Sequence, residues 1–334
     1  MVSGLLRVWK CRLALVHLRT RNRFTPCLLI ILGGSASGPL AEKVSKELGL
    51  KPGRLEIKNF PDGEMYVRIH EDVRDQDVAV IQSLYGPNCN EKIFEYLLLV
   101  DTLRDLGARS ITGVAPYLAY ARQDARFYPG EAITPSSLAR MFEAAGTTSF
   151  LTIDWEPHRL GGVAKVFKIP AQNLSAMPLL GQYAREHLAP RNPIVIAPDA
   201  GAENLAAAVA KELDGEYFVF QKKRVRKEGT TTTKITVDAV EVEVKGRDAV
   251  FADDIISTGT TIAEGAKVCR NRGAKRIFAL CTHPVLGQGA IKRIRSAGVS
   301  KVIGTDTIPS PVSRVSVAPI IARAIRLQNS DSRP

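Results

Sequence analysis

A chain of 334 residues, 45% hydrophobic and 24% charged, has the composition of a soluble globular protein, and its length suits two domains that each bury a core. No apolar run approaches the roughly 18 residues of a membrane helix, and five cysteines without a C-x-x-C pair argue against a disulfide framework or a zinc site and favour a reducing cytoplasm. The net charge is +12, but half of it comes from Arg7, Lys10, Arg12, Arg19, Arg21 and Arg23 in an acid-free segment, and the rest is too weakly basic to argue for nucleic acid.

Residues 1–26 read as a basic, disordered N-terminal extension, or as translated sequence upstream of the true start. Arg-rich, acid-poor character also fits a transit peptide or a segment that binds RNA, DNA or anionic lipid, while the apolar stretch Leu13 to Val16 is too short for a secretory signal.

From Cys27 the pattern becomes regular. CLLIIL predicts a buried strand, GGSASG a strand–helix turn, and PLAEKVSKEL a helix with Pro39 near its first turn. RLEIKNF and MYVRIH alternate as strands around the turn PDGE. DVAVIQSL is a strand, NEKIFEYLLLVDTLRDLG a long helix closed by Gly107, and RSITGVAPYL a strand. TPSSLARMFEAAG and FLTID follow as helix and strand. PIVIAPDAG, ENLAAAVAKELDG and YFVFQKKR then repeat the rhythm, and Ser313 to Gln328 reads as a last amphipathic helix that packs back on the first domain. Strands alternating with helices predict an α/β fold with a mainly parallel sheet.

The two halves look like copies. ILGGSASGPLAEKV aligns with IAPDAGAENLAAAV at an offset of 165, matching Leu40 to Leu205, and GARSITGVAP aligns with GAKRIFALCTHP at an offset of 166. The expected division is a first domain at 27–170, a second at 171–311, and the helix at 312–328.

In the second half, VFADDIISTGTTI sets Asp253 and Asp254 at the carboxyl edge of a central strand, where open α/β sheets bind ligands. Ser257, Thr258, Gly259, Thr260 and Thr261 lead into a helix starting near Ile262. Backbone N–H groups there favour a phosphate, Gly259 permits close approach, and the hydroxyls add donors. The two carboxylates suit sugar hydroxyls or a Mg²⁺ ion, so the whole stretch suits a phosphosugar. No G-x-x-x-x-G-K-[ST] occurs, so an ATP site is not a P-loop.

This stretch resembles the phosphoribosyl-diphosphate (PRPP) loop shared by phosphoribosyltransferases and PRPP synthases. NFPDGEMYVRI, YARQDARF, PDAG, QKKR and THPVLGQG are similar, in consistent order over about 27–328, to the ribose-phosphate diphosphokinase (PRPP synthase) family. RQDARFYPGEAI and the short first half look closer to its archaeal-type branch. The resemblance implies a duplicated phosphoribosyltransferase-like fold and transfer of the diphosphoryl group of ATP to the 1-hydroxyl of ribose 5-phosphate, with Mg²⁺ as cofactor. It implies that Phe60, Asp62, Gly63 and Glu64 hold ATP from a neighbouring subunit, hence a homo-oligomer, and that Arg122, Gln123, Asp124 and Arg126 serve ATP within the chain. Asp253, Asp254, Ser257, Thr258, Gly259, Thr260, Thr261 and Arg224 would hold ribose 5-phosphate, Lys222 and Arg224 would be catalytic, and Asp199 would bind Mg²⁺.

One departure stands out. The family places a metal-binding His two residues after an Asp, whereas this chain reads TIDWEPHRL, with Glu156 at that position and His158 two further on. Either His158 ligates across a loop insertion, or Glu156 supplies an oxygen, or the site is weakened. Two functions follow: an active synthase, or a non-catalytic regulatory subunit of the same fold.

Overall fold

The computed structural model describes residues 28–157, 159–220 and 243–331; the N-terminal extension, His158, Lys222 and Arg224 lie outside these. The first domain runs β1 (Leu29–Gly33), α1 (Gly38–Leu48), β2 (Leu55–Asn59), β3 (Met65–Ile69), β4 (Asp77–Ile81), α2 (Cys89–Asp105), β5 (Ser110–Ala115), α3 (Thr134–Ala145), β6 (Ser149–Ile153), α4 (Val163–Val166) and β7 (Ala171–Leu174). The second runs α5 (Met177–Tyr183), extended by a π-helical turn at Ala184–Leu188, then β8 (Ile194–Ala197), α6 (Glu203–Leu213), β9 (Glu216–Val219) and β10 (Ala249–Ile255). It continues through α7 (Thr260–Asn271), β11 (Ile277–His283), α8 (Ala290–Ser296), β12 (Lys301–Thr305), β13 (Ser313–Val315) and α9 (Ala318–Asp331).

Both sheets are parallel, ordered β1-β4-β5-β6-β7 and β13-β12-β11-β10-β8-β9, and β2 pairs antiparallel with β3 as a separate hairpin. Strands covered on both faces need apolar residues at every position, and β4 is buried throughout. Val78 and Val80 face a core with α2 and α3, whereas Ala79 and Ile81 face one with α1 and α9. In the second sheet Phe251 and Ala279 pack under α7, and Val250 and Leu280 under α6. Reading the second sheet from β8, its strands β8, β10, β11, β12 and β13 repeat the order of β1, β4, β5, β6 and β7, and α1 and α6 stand at the same 165-residue offset as Leu40 and Leu205.

Two expectations shift. β7 pairs with β6 from Phe150↔Ala171 to Ile153↔Leu174, so residues 171–174 belong to the first sheet and the division falls after Leu174. AQNL is a short edge strand, too polar to register as one in the sequence. The segment expected as one helix from Ser313 opens instead with strand β13, because those residues pair with Gly304 and Thr305, and the helix begins at Ala318. That helix does pack on the first domain: Val317, Ile321 and Ile325 share a core with Leu40, Ala41 and Val44.

The loop between β1 and α1 is closed by a buried network. Glu95 accepts from the Ser35 backbone N–H at 2.7 Å and from the Gln82 amide at 2.7 Å, and the Gln82 carbonyl accepts from Ala36 N–H.

The carboxyl ends of the two sheets meet in a buried polar seam. The Ser83 hydroxyl donates to the Thr307 carbonyl at 2.6 Å, Thr282 to the Asp154 carboxylate, and His283 Nε2 lies 3.0 Å from the Ile153 carbonyl. His283 Nδ1 lies 3.0 Å from the Thr307 hydroxyl. Burial pushes the His283 imidazole down to about 4 from an ordinary 6.5. The unfolded chain therefore takes up a proton at a pH where the native ring stays neutral. This contribution to stability is complete above pH 6.5 and is lost as pH falls towards 4. Asp154, whose carboxyl is raised mainly by burial, acts in the opposite sense. Thermal melts between about pH 7 and pH 4.5 are expected to show a steeper fall in Tm for the parent than for His283→Gln, which has no such proton to take up.

Candidate functional site

The site grows from the carboxyl ends of both sheets. β10 carries Asp253 and Asp254 as its last polar residues before Ile255. Gly259 follows with φ +72° and opens α7 at Thr260, two residues earlier than expected, so Thr260 and Thr261 form the first helical turn. A glycine in that position brings no capping side chain of its own; Thr260 N–H meets the Thr258 hydroxyl at 3.4 Å, and the amino-terminal turn as a whole favours an anion. A Cβ there would stand 2.7 Å from Ile294, so the glycine is needed both for its φ and for its space. The loop is laced to the one after β11: Leu286 N–H bonds the Ile256 carbonyl at 2.9 Å, Gly287 N–H bonds that of Ser257 at 3.0 Å, and Arg293 donates to that of Thr258.

A cleft of about 350 Å³ joins these residues to the first domain. Asp253, Asp254, Thr261 and Asp199 line it from the second domain, and Arg122, Asp124, Glu156 and Arg159 from the first. A smaller cavity of about 140 Å³ adjoins it between Tyr117, Tyr120, Ser257 and Val285, and Arg122 borders both. Asp199 sits where β8 ends, its carboxylate accepting from Gly201 N–H at 3.0 Å. Asp124 is buried and accepts from the Arg159 backbone at 2.8 Å and its guanidinium at 3.2 Å, while the same guanidinium lies 4.9 Å from the Phe127 ring. Asp124 thus holds Arg159 rather than offering a free carboxylate to a ligand.

Other expected residues stand apart. Gln123 accepts from the Thr134 hydroxyl, and Arg126 donates to the Glu131 carbonyl at 2.8 Å; neither lines the cleft. Phe60, Asp62, Gly63 and Glu64 form the exposed tip of the β2–β3 hairpin, closed by Phe60 N–H to the Glu64 carbonyl at 2.7 Å, and line neither cavity of their own chain. Arg159 and the tyrosines Tyr117 and Tyr120 enter the site without having been singled out in the sequence. The signal for Arg159 was its place just beyond the carboxyl edge of β6.

Among the described residues the lining charges are unequal: carboxylates of Asp124, Glu156, Asp199, Asp253 and Asp254 against guanidinium groups of Arg122 and Arg159. A site that also takes phosphates calls for cations. Among the described residues no three His, Cys, Asp or Glu side chains converge on one point. Scattered carboxylate oxygens fit Mg²⁺, which keeps several waters and relies on one or two carboxylates plus substrate phosphates rather than a protein cage. No helix among the described residues is long and apolar enough to cross a membrane.

Two parallel α/β domains in tandem, the second with tandem acids and a Gly/Thr-rich loop at the start of a helix, define a duplicated phosphoribosyltransferase-type fold. The family model for the N-terminal domain of ribose phosphate pyrophosphokinase matches residues 29–146, and that for the phosphoribosyl transferase domain matches 163–308. The ribose-phosphate pyrophosphokinase of Methanobrevibacter smithii is 38% identical over 303 residues, covering 89% of this chain and 100% of that one. That of Methanothermobacter thermautotrophicus is 39% identical with 89% and 100% covered. The crystal structure of phosphoribosylpyrophosphate synthetase from Mycobacterium smegmatis superposes with a TM-score of 0.78 at 30% identity, covering 91% of this chain and 99% of that one. The chain belongs to the ribose-phosphate pyrophosphokinase family.

Replacing Gly259 by Ala adds about 1–3 kcal/mol of strain where α7 begins. A phosphosugar, probed as ribose 5-phosphate by calorimetry, is expected to bind roughly tenfold more weakly to Gly259→Ala. Unchanged affinity would move the phosphate away from this loop.

Proposed function

We propose that this chain catalyses transfer of the diphosphoryl group of ATP to ribose 5-phosphate, giving PRPP and AMP. The observation that carries the reading is that Asp253, Asp254 and Thr261 face Arg122, Glu156 and Arg159 across one cleft. Ser257, Thr258, Gly259, Thr260 and Thr261 take the 5-phosphate, and Asp253 and Asp254 accept from the ribose hydroxyls. Arg122 offers its fork to the ATP phosphates, with Gln123, Asp124 and Arg126 supporting its loop. Oxygen-1 of the ribose bonds the β-phosphorus as the bond from that phosphorus to the α,β-bridging oxygen breaks. AMP leaves with that oxygen, and the proton on oxygen-1 is released. Lys222 and Arg224, outside the described residues, neutralise charge that builds on the transferring group, since such transfers depend chiefly on positioning and electrostatics. Asp199, with Glu156 or His158, holds Mg²⁺, which when bound offsets phosphate charge.

The hairpin tip is exposed and lines neither of the two cavities described above, which supports its serving a partner's cleft in a homo-oligomer. A cytoplasmic location suits the free thiols and the substrates.

The test is product formation from ribose 5-phosphate, ATP and Mg²⁺. AMP and PRPP are expected in equal amounts, and Lys222→Ala is expected to lose about 10²–10³-fold in kcat. No turnover by a folded protein that still binds ribose 5-phosphate would instead favour the regulatory subunit, with the defect at Glu156 and His158.

A shared site makes a second prediction. Asp62→Ala and Asp253→Ala are each expected to be inactive alone, and chains carrying one or the other, co-expressed, are expected to regain activity through mixed subunits. Absence of recovery in a mixed assembly would return the hairpin to a local role.

A further inference from the structure

Substrate loops in this protein lie on different domains, so the span between them has to be set by something in the joint. Resting on the proposed reaction, we propose that His283 is a positioning residue whose ring fixes the distance between the ribose 5-phosphate loop and the loop that carries Glu156 and Arg159.

His283 ends β11, in register with Ile255 of β10, and its carbonyl accepts from Ile256 N–H at 3.2 Å, immediately before the sugar loop. Its ring crosses to the other domain. The Ile153 carbonyl, 3.0 Å from Nε2, can only accept, so Nε2 carries the hydrogen. Nδ1, then without a hydrogen, lies 3.0 Å from the Thr307 hydroxyl, which is also 2.8 Å from the Thr282 carbonyl. Ile153 ends β6, and Asp154, Trp155 and Glu156 follow directly. The Trp155 backbone is held in turn, its main-chain N–H donating to the Asn173 side-chain carbonyl at 2.9 Å. The imidazole also meets Tyr117 edge-on at 5.0 Å, beside the smaller cavity. The residue is 2% exposed, so no water replaces a lost bond cheaply. One rigid five-membered ring therefore connects the start of the sugar loop to the end of β6 through two short links.

A pin of this kind acts on transfer rather than on capture. Ribose 5-phosphate is bound by groups of the second domain alone, whereas transfer needs oxygen-1 and the β-phosphorus brought within about 3–3.5 Å of each other. The two amide replacements separate the bonds of the ring. Glutamine reaches with a donor to the Nε2 position and keeps the Ile153 link. Asparagine reaches only the Nδ1 position and leaves the Ile153 carbonyl without its donor.

The experiment compares the full-length parent, His283→Asn and His283→Gln by kcat for AMP formation, calorimetric Kd for ribose 5-phosphate alone, and Tm. With the pin in this role, His283→Asn loses on the order of a hundredfold in kcat while Kd stays close to the parent's, and His283→Gln recovers most of the loss. Equal kcat in the two variants overturns the proposal. So does a loss of ribose 5-phosphate affinity that matches the loss in kcat, or failure of both variants to fold, since either makes His283 a stability residue. A parent that makes no AMP retires the proposed reaction instead, and that is seen before any variant is read.

Discussion

A polar group withdrawn from water and left unbonded costs roughly 1–3 kcal/mol, and more when charged. The joint between the two sheets buries Ser83, Asp154, Thr282, His283, Thr305 and Thr307 almost completely. Each has a partner, and many of the partners lie across the joint. Sliding one domain against the other would strand several of these groups at once, so the joint has one favourable arrangement. An apolar interface of the same size would hold the domains together without fixing their register, because burial energy is non-directional. Glu156, which lines the cleft, follows the seam residue Asp154 by two positions.

The charges of the cleft follow a related logic. Carboxylates gather where polyphosphates are to bind, which would be repulsive without a cation to stand between them. Arg159 and Arg122 supply fixed positive charge on the first-domain side, and Asp124 spends its own charge in holding Arg159. The second-domain side has the α7 amino terminus and its hydroxyls. The described cleft thus sets guanidinium groups on the first-domain side against carboxylates and a helix amino terminus on the second.

Much of the architecture was legible in the sequence because it depends on local patterns. Runs such as DVAVI and AVFA, buried on both faces, could only be inner strands of a parallel sheet, and the STGTT loop advertised its chemistry through composition. The edge strands β7 and β13 escaped because AQNL and SRV bury little and carry no period. The seam escaped for a different reason. Thr282 and His283 sit in an apolar strand like any satisfied core residues, and their partners at Asp154 and Ile153 lie 128 and 130 positions away. Only the fold brings them together. Arg159 belongs to the same class, its role set by Asp124 35 positions earlier.

The duplicated register has a consequence for how the two halves divide the work. Ile31 pairs with Ala79 in the first sheet as Ile196 pairs with Phe251 in the second. Counting onward from those pairs, Gln82 occupies the place of Asp254, and Gly34 that of Asp199. The half without these acids has its space filled: a side chain at Gly34 would stand 2.5 Å from Gln82, whose amide is bonded to Glu95. The two halves therefore repeat one strand order with different strand ends: open and acidic in the second sheet, stoppered by a bonded glutamine in the first.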